Sequence, residues 1–150
     1  GWPLLLRAVA RAHDPSDAFP DPVLSVVSEA GETVAWPWRA VTRRKSGRVE
    51  TAFFLDEAAT AALPPGRYVA TVAVSDLVQP VRLGFQLVEP PAAPGPAEDD
   101  RRRTLRLHLA LLAEDLETAE RLGFEALKAD PADPAHAFNL AQVAVARGDK

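Results

Sequence analysis

The chain has 150 residues, a formal net charge of −4 and no cysteine. The acidic balance argues against a nucleic-acid binder, which needs a basic face to displace counterions from phosphates. The lack of cysteine removes disulfides, thiolate zinc sites and cysteine nucleophiles, and no run approaches the roughly 18 apolar residues of a membrane-spanning helix.

There is no methionine, even at position 1, and the sequence stops inside a motif at Arg147-Gly148-Asp149-Lys150. A piece of a longer protein is expected. Prolines divide the chain. Pro90, Pro91, Pro94 and Pro96 fall within the stretch EPPAAPGPAEDD, which continues neither a strand nor a helix and tends to a semi-rigid extended form. Residues 91–98 therefore read as a linker between a first domain, 1–90, and a second, 99–150.

The first domain has period-two patterning, which puts alternate side chains on opposite faces of a strand. Val49, Thr51, Phe53 and Leu55 alternate with Glu50, Ala52 and Phe54. Tyr68, Ala70, Val72 and Val74 do the same, as do Val81, Leu83, Phe85 and Leu87. Further strands are expected at 4–10, 23–28 and 33–41, separated by turn signals such as Pro20-Asp21-Pro22, Ala30-Gly31-Glu32 and Pro64-Pro65-Gly66. Six or seven short strands at this spacing predict an antiparallel β-sandwich. Leu63-Pro64-Pro65-Gly66-Arg67-Tyr68 resembles the turn of fibronectin type III and related immunoglobulin-like domains. There a tyrosine at the start of a late strand bonds back to the preceding corner.

Three stretches of this half offer candidate sites. Trp36-Pro37-Trp38 reads first as sandwich core, with Pro37 marking an edge strand because it cannot donate to the ladder. The alternative is an aromatic platform for sugar or peptide. His13-Asp14-Pro15-Ser16-Asp17, with Asp21 nearby, holds possible metal donors, but it lacks the spacing and glycine of a calcium loop and doubles as ordinary turn chemistry. No metal is expected there. Arg43-Arg44-Lys45-Ser46-Gly47-Arg48 reads as a solvated basic hairpin tip, with contact to an acidic partner as the alternative.

The second domain has helical period. Leu105, Leu109 and Leu112, with His108 beside them, predict a first helix over about residues 101–113. Asp115 caps a second, whose Leu116, Ala119, Leu122, Gly123, Ala126 and Leu127 form an amphipathic stripe. Asp130-Pro131 stops it. Asp133-Pro134 starts a third helix with an N-cap and a first-turn proline, and Ala137, Leu140, Ala141 and Ala144 give that helix a small-residue face. Gly148 is free to terminate it in the left-handed conformation.

From Glu114 to Lys150 the sequence closely resembles the tetratricopeptide repeat. The resemblance rests on Ala119, Ala126-Leu127, Asp130-Pro131, Ala137-Phe138-Asn139-Leu140-Ala141 and Gly148-Asp149. Glu114-Asp115 and Gly148-Asp149 stand about 34 residues apart, one period of this repeat, with Glu114 where the repeat has its turn glycine. The resemblance implies a truncated array: one full repeat, whose first helix is an atypical capping helix, and half of the next. It also implies a concave groove that binds a protein or peptide, with Asn139 at the groove-facing position, Gln142 one turn along, and Leu105 and His108 at the matching places one repeat earlier.

The expected organisation is two-domain, all-β then all-α: an immunoglobulin-like sandwich followed by tetratricopeptide-like helices. The expected function is non-catalytic, a protein–protein interaction or scaffold segment needing no cofactor. Alternatives are an accessory module of a larger enzyme, and a carbohydrate- or ligand-binding sandwich using Trp36 and Trp38. His13, His108 and His136 lie in separate segments with no accompanying catalytic motif. The alanine-, proline- and arginine-rich composition associates with high-GC bacteria, and the sandwich type leans toward an exported protein.

Overall fold

The computed structural model describes residues 2–11, 20–45, 47–74, 79–89 and 95–148. Two compact units emerge, Pro3–Pro90 and Pro91–Lys150.

The first unit contains six described strands: β1 (Leu4–Arg11), β2 (Val23–Ser28), β3 (Arg39–Lys45), β4 (Arg48–Leu55), β5 (Gly66–Ala73) and β6 (Val81–Leu87), with a short helix α1 (Glu57–Ala61) between β4 and β5. They form two three-stranded sheets of order β1-β4-β3 and β2-β5-β6, and every pair is antiparallel. This is the strand order of an immunoglobulin constant-type sandwich, sheets ABED and CFG, with β1 through β6 standing for B through G and no described strand in the place of A. β1 is consequently an edge strand. The unit is an immunoglobulin-like β-sandwich.

The core sits between the sheets. Val26, Tyr68 and Ala70 are its buried centre, and Leu6, Trp36, Trp38, Phe85 and Leu87 pack against them. Opposite lie Val49, Thr51 and Phe53 of β4. The tyrosine corner forms: the Tyr68 hydroxyl donates to the Pro64 carbonyl at 2.9 Å. The bond ties the start of β5 to the corner that follows α1 and satisfies a phenol that is 5% exposed.

Two expectations about the sheets need correction. No strand spans 33–41. Val27 and Thr33 form an isolated bridge, Trp38 N–H turns back to the Trp36 carbonyl at 2.8 Å, and β3 begins at Arg39. Pro37 has no N–H to give a ladder, so pairing with β4 starts beyond it. Of the β6 face expected inside, Phe85 and Leu87 are in the core, but Val81 and Leu83 are 69% and 51% exposed.

The second unit is three helices: α2 (Pro96–Leu112), α3 (Leu116–Ala129) and α4 (Pro134–Arg147). α2 begins at Pro96, not near residue 101. Gly95 is its N-cap, Pro96 occupies the first turn, and the Gly95 N–H donates to the Glu98 carboxylate at 3.1 Å. What reads as linker composition is a start signal. Residues 90–94 lie outside the described residues. α2 ends in a Schellman arrangement: Asp115 N–H reaches the Ala110 carbonyl at 2.9 Å and Glu114 N–H reaches Leu111 at 3.3 Å. Glu114 takes the left-handed conformation at φ 59°, the geometry a glycine holds without strain.

The remaining caps follow the sequence. Thr118 N–H donates to Asp115 Oδ1 at 3.1 Å, Ala135 N–H donates to Asp133 Oδ1 at 2.9 Å, and Gly148 is left-handed at φ 83°. The amphipathic stripe of α3 is buried at Ala119, Leu122, Gly123 and Ala126. Gly123 is where the three helices meet. A methyl group built on it would stand 2.6 Å from Leu140 Cδ2, 2.9 Å from Leu140 Cγ and 3.4 Å from Leu107 Cδ1. Only a bare Cα admits α2 on one side of α3 and α4 on the other at this separation.

Candidate interaction surfaces

Trp36 and Trp38 do not form an exposed platform. Both are half-buried. The Trp36 ring meets Tyr68 edge-on at 4.6 Å and Phe85 at 6.0 Å, Tyr68 stacks on Phe85 at 5.8 Å, and Trp38 lies 6.1 Å from Trp36. These are core geometries, each pair worth about 0.5–1.5 kcal/mol beyond area burial. The Trp38 Nε1 is buried without a partner.

The possible metal donors His13, Asp14 and Asp17, where no metal is expected, lie outside the described residues. Asp21 pairs with Arg44, so one arginine of the basic hairpin tip already has a carboxylate partner while Arg43 is exposed. On the outer surface of the sandwich, Glu50 receives Arg7 and also Arg48 at 2.8 Å. The Arg7 hydrogen bond, with the charges of Arg7 and Arg48, holds its carboxyl below the ordinary value of 4.5 against the opposing cost of desolvation.

A cleft of about 610 Å³ runs between edge strand β1 and strands β5 and β6, lined by Leu6, Val9, Val72, Val81 and Leu83, with Arg7 and Arg11 also on its wall. Val81 and Leu83, exposed in β6, line this cleft.

On the helical unit, Asn139 is 7% exposed, and it shares the buried face of α4 with His136 and Val143. Gln142 and His108 are half-buried. The small-residue face is split: Ala137 and Ala141 are exposed, while Leu140 and Ala144 are half-buried. This face borders a groove of about 310 Å³ between α3 and α4, lined by Phe124, Leu140, Ala141, Val143 and Ala144. At its border Arg147 holds Glu120 with two bonds of 3.0 Å. Phe124, Phe138 and Val145 are 57%, 64% and 76% exposed, which sequence periodicity does not anticipate for large apolar residues. Among the described residues no helix is long and apolar enough to cross a membrane.

No family model and no curated protein matches the chain. Among solved structures, the chain is similar to the fourth constant immunoglobulin domain of nurse shark IgNAR. The identity is 10%, the match covers 57% of this chain and 76% of that one, and the TM-score is 0.39. The strand order and the tyrosine corner carry the fold assignment independently of that likeness.

Proposed function

We propose that this chain is a non-catalytic interaction or scaffold segment, in which a tetratricopeptide-like helical unit holds a protein partner beside an immunoglobulin-like module. The observation that carries the reading is the seating of α3. In a tetratricopeptide array the second helix of one repeat packs against its own first helix and against the first helix of the next. Gly123 makes that double contact with Leu107 and Leu140. The groove between α3 and α4 has a floor of Ala141, Ala144 and Leu140 with Phe124 at its wall. Small residues let a backbone approach closely, and an apolar stripe about one helix wide suits an amphipathic helix laid in it. The burial of Asn139 favours this outer groove over the concave face.

A display selection of helical peptides against the tag-free chain tests the proposal. Enriched sequences with apolar residues at i, i+3, i+4 and i+7 are expected. Their affinity should fall at least about tenfold on Ala144→Arg, roughly 1.4 kcal/mol, and stay level on Gln142→Ala and His108→Ala. Peptides indifferent to Ala144→Arg but lost with Gln142→Ala would move the contact to the concave face. No enrichment at all would sink the reading.

A further inference from the structure

Asp100 stands just beyond the first turn of α2, Asp133 caps α4 and His136 follows one turn later. The His136 ring is 2% exposed. Its Nε2 faces Asp100 Oδ1 at 3.7 Å and Asp133 Oδ2 at 3.8 Å, beyond hydrogen-bond length. Its Nδ1 is buried without a partner. Asp133 divides its carboxylate: Oδ1 accepts the capping N–H of Ala135 at 2.9 Å, and Oδ2 is turned to the imidazole. The three donor atoms lie within 4.8 Å of one another. A buried imidazole pointed between two carboxylates, with neither within hydrogen-bond length of its Nε2, leaves a place for an ion to join them.

We propose that Asp100, Asp133 and His136 bind a divalent transition-metal ion, with Zn²⁺ the best match. The donor set is one nitrogen and two carboxylate oxygens. Ca²⁺ and Mg²⁺ favour all-oxygen shells of six or more ligands, whereas an imidazole with carboxylates suits Zn²⁺ and its neighbours. Zn–N and Zn–O bonds of about 2.0–2.2 Å set tetrahedral donors roughly 3.3–3.6 Å apart, close to the 3.7 and 3.8 Å that separate the imidazole from each carboxylate. Asp100 and Asp133 have side chains 42% and 38% exposed, and Asp133 can offer Oδ2 while Oδ1 keeps the capping bond. Arg103, 3.6 Å from the same Asp100 oxygen, is the competing cation and swings aside when the ion binds. Three protein ligands leave a fourth position for water or for a partner's donor. The ion would join the N-terminal turns of α2 and α4, the first helices of successive repeats.

The test uses the full chain, tag-free and stripped of metal by a chelator. ZnCl₂ is titrated by calorimetry, and Co²⁺ is followed by its visible absorption as a second probe. One ion per chain is expected, with micromolar affinity or better and a raised melting temperature. Asp133→Asn keeps the helix cap, because the amide oxygen accepts the same N–H, but it removes the charged ligand. That variant and Asp100→Asn should each weaken binding by roughly 100-fold or more, since even outer-shell changes cost 10–100-fold. Helical circular dichroism checks that both variants fold. Absence of saturable uptake by the unaltered chain up to millimolar zinc overturns the proposal. So does uptake that persists in both variants, which would place the ion on other histidines.

Discussion

Replacing Gly123 with alanine sets two known magnitudes against each other. In the middle of a helix, Gly→Ala is worth about 1 kcal/mol of stabilisation. At Gly123 the new methyl group meets Leu140 Cγ at 2.9 Å as well as Cδ2 at 2.6 Å. Rotating the tip of the leucine does not relieve a clash with its Cγ, so the side chain or α4 itself must shift. Overpacking of this kind costs about 1–3 kcal/mol. The net expectation is destabilisation of about 0–2 kcal/mol. In a Leu140→Ala background the offending atoms are gone, and the remaining contact, Leu107 Cδ1 at 3.4 Å, is tight but tolerable. There the same substitution should stabilise by about 1 kcal/mol. The sign reversal is read by urea unfolding followed by helical circular dichroism, with a coupling energy of about 1–3 kcal/mol from the double-mutant cycle. If Gly123→Ala stabilises equally in both backgrounds, α3 is not wedged between its neighbours and the repeat-like seating fails with it.

Glu114→Gly should stabilise the helical unit by about 0.5–1 kcal/mol, because a non-glycine residue at φ 59° carries a left-handed strain of about 1–2 kcal/mol partly offset by glycine's entropy; a loss of stability in the same unfolding assay would refute this. Tyr68→Phe removes the 2.9 Å bond to Pro64 and should cost the sandwich about 0.5–1.5 kcal/mol, read by the fluorescence of Trp36 beside it. An unchanged midpoint would mean the corner is held by packing alone. The Asp115 carboxyl is held below its ordinary value of 3.8 by hydrogen bonding with the Thr118 side chain and backbone N–H, against slight desolvation. A depressed carboxylate stabilises the fold above its unfolded pKa, and that contribution is lost as the pH falls from about 3.8 through the lower folded value. Asp115→Asn, which still caps, should therefore flatten the acid limb of the helical unfolding curve, and an identical limb in both proteins would refute the assignment.

Local chemistry was the legible part of this molecule. Asp115, Asp133-Pro134 and Gly148 act within a few residues of themselves, so their caps could be read directly, and the Tyr68 corner spans only four residues. Composition misled where one residue type serves two purposes. Gly95 and Pro96 look like linker but start α2. The alternation around Pro37 looks like a strand but lacks the N–H a ladder requires. The inward face of α4 was hidden for another reason. The small residues Ala137 and Ala141 drew the stripe to one side, whereas the buried positions His136 and Asn139 are polar and contribute no apolar signal. The Asp100–Asp133–His136 grouping lies furthest from sequence reading. Asp133 and His136 are one helical turn apart, but Asp100 joins them only because the fold brings the start of α2 to the start of α4.

Among the described residues no strand pairs with the side of β1 away from β4, and backbone groups on such a side can pair with another strand. Its outward residues are Arg7, Val9 and Arg11, all exposed. If two copies met antiparallel with Val9 against Val9, Arg7 of each would oppose Arg11 of the other, placing two like-charged pairs directly across the ladder, which is destabilising. The apolar register that would best fuse two sheets is thus the one that charge forbids. Dissolved salt weakens the prohibition, because exposed charges are screened beyond about 8 Å at physiological ionic strength. In that register Arg11, and Arg7 as far as its charge is not offset by its partner Glu50, set the salt dependence of such a contact.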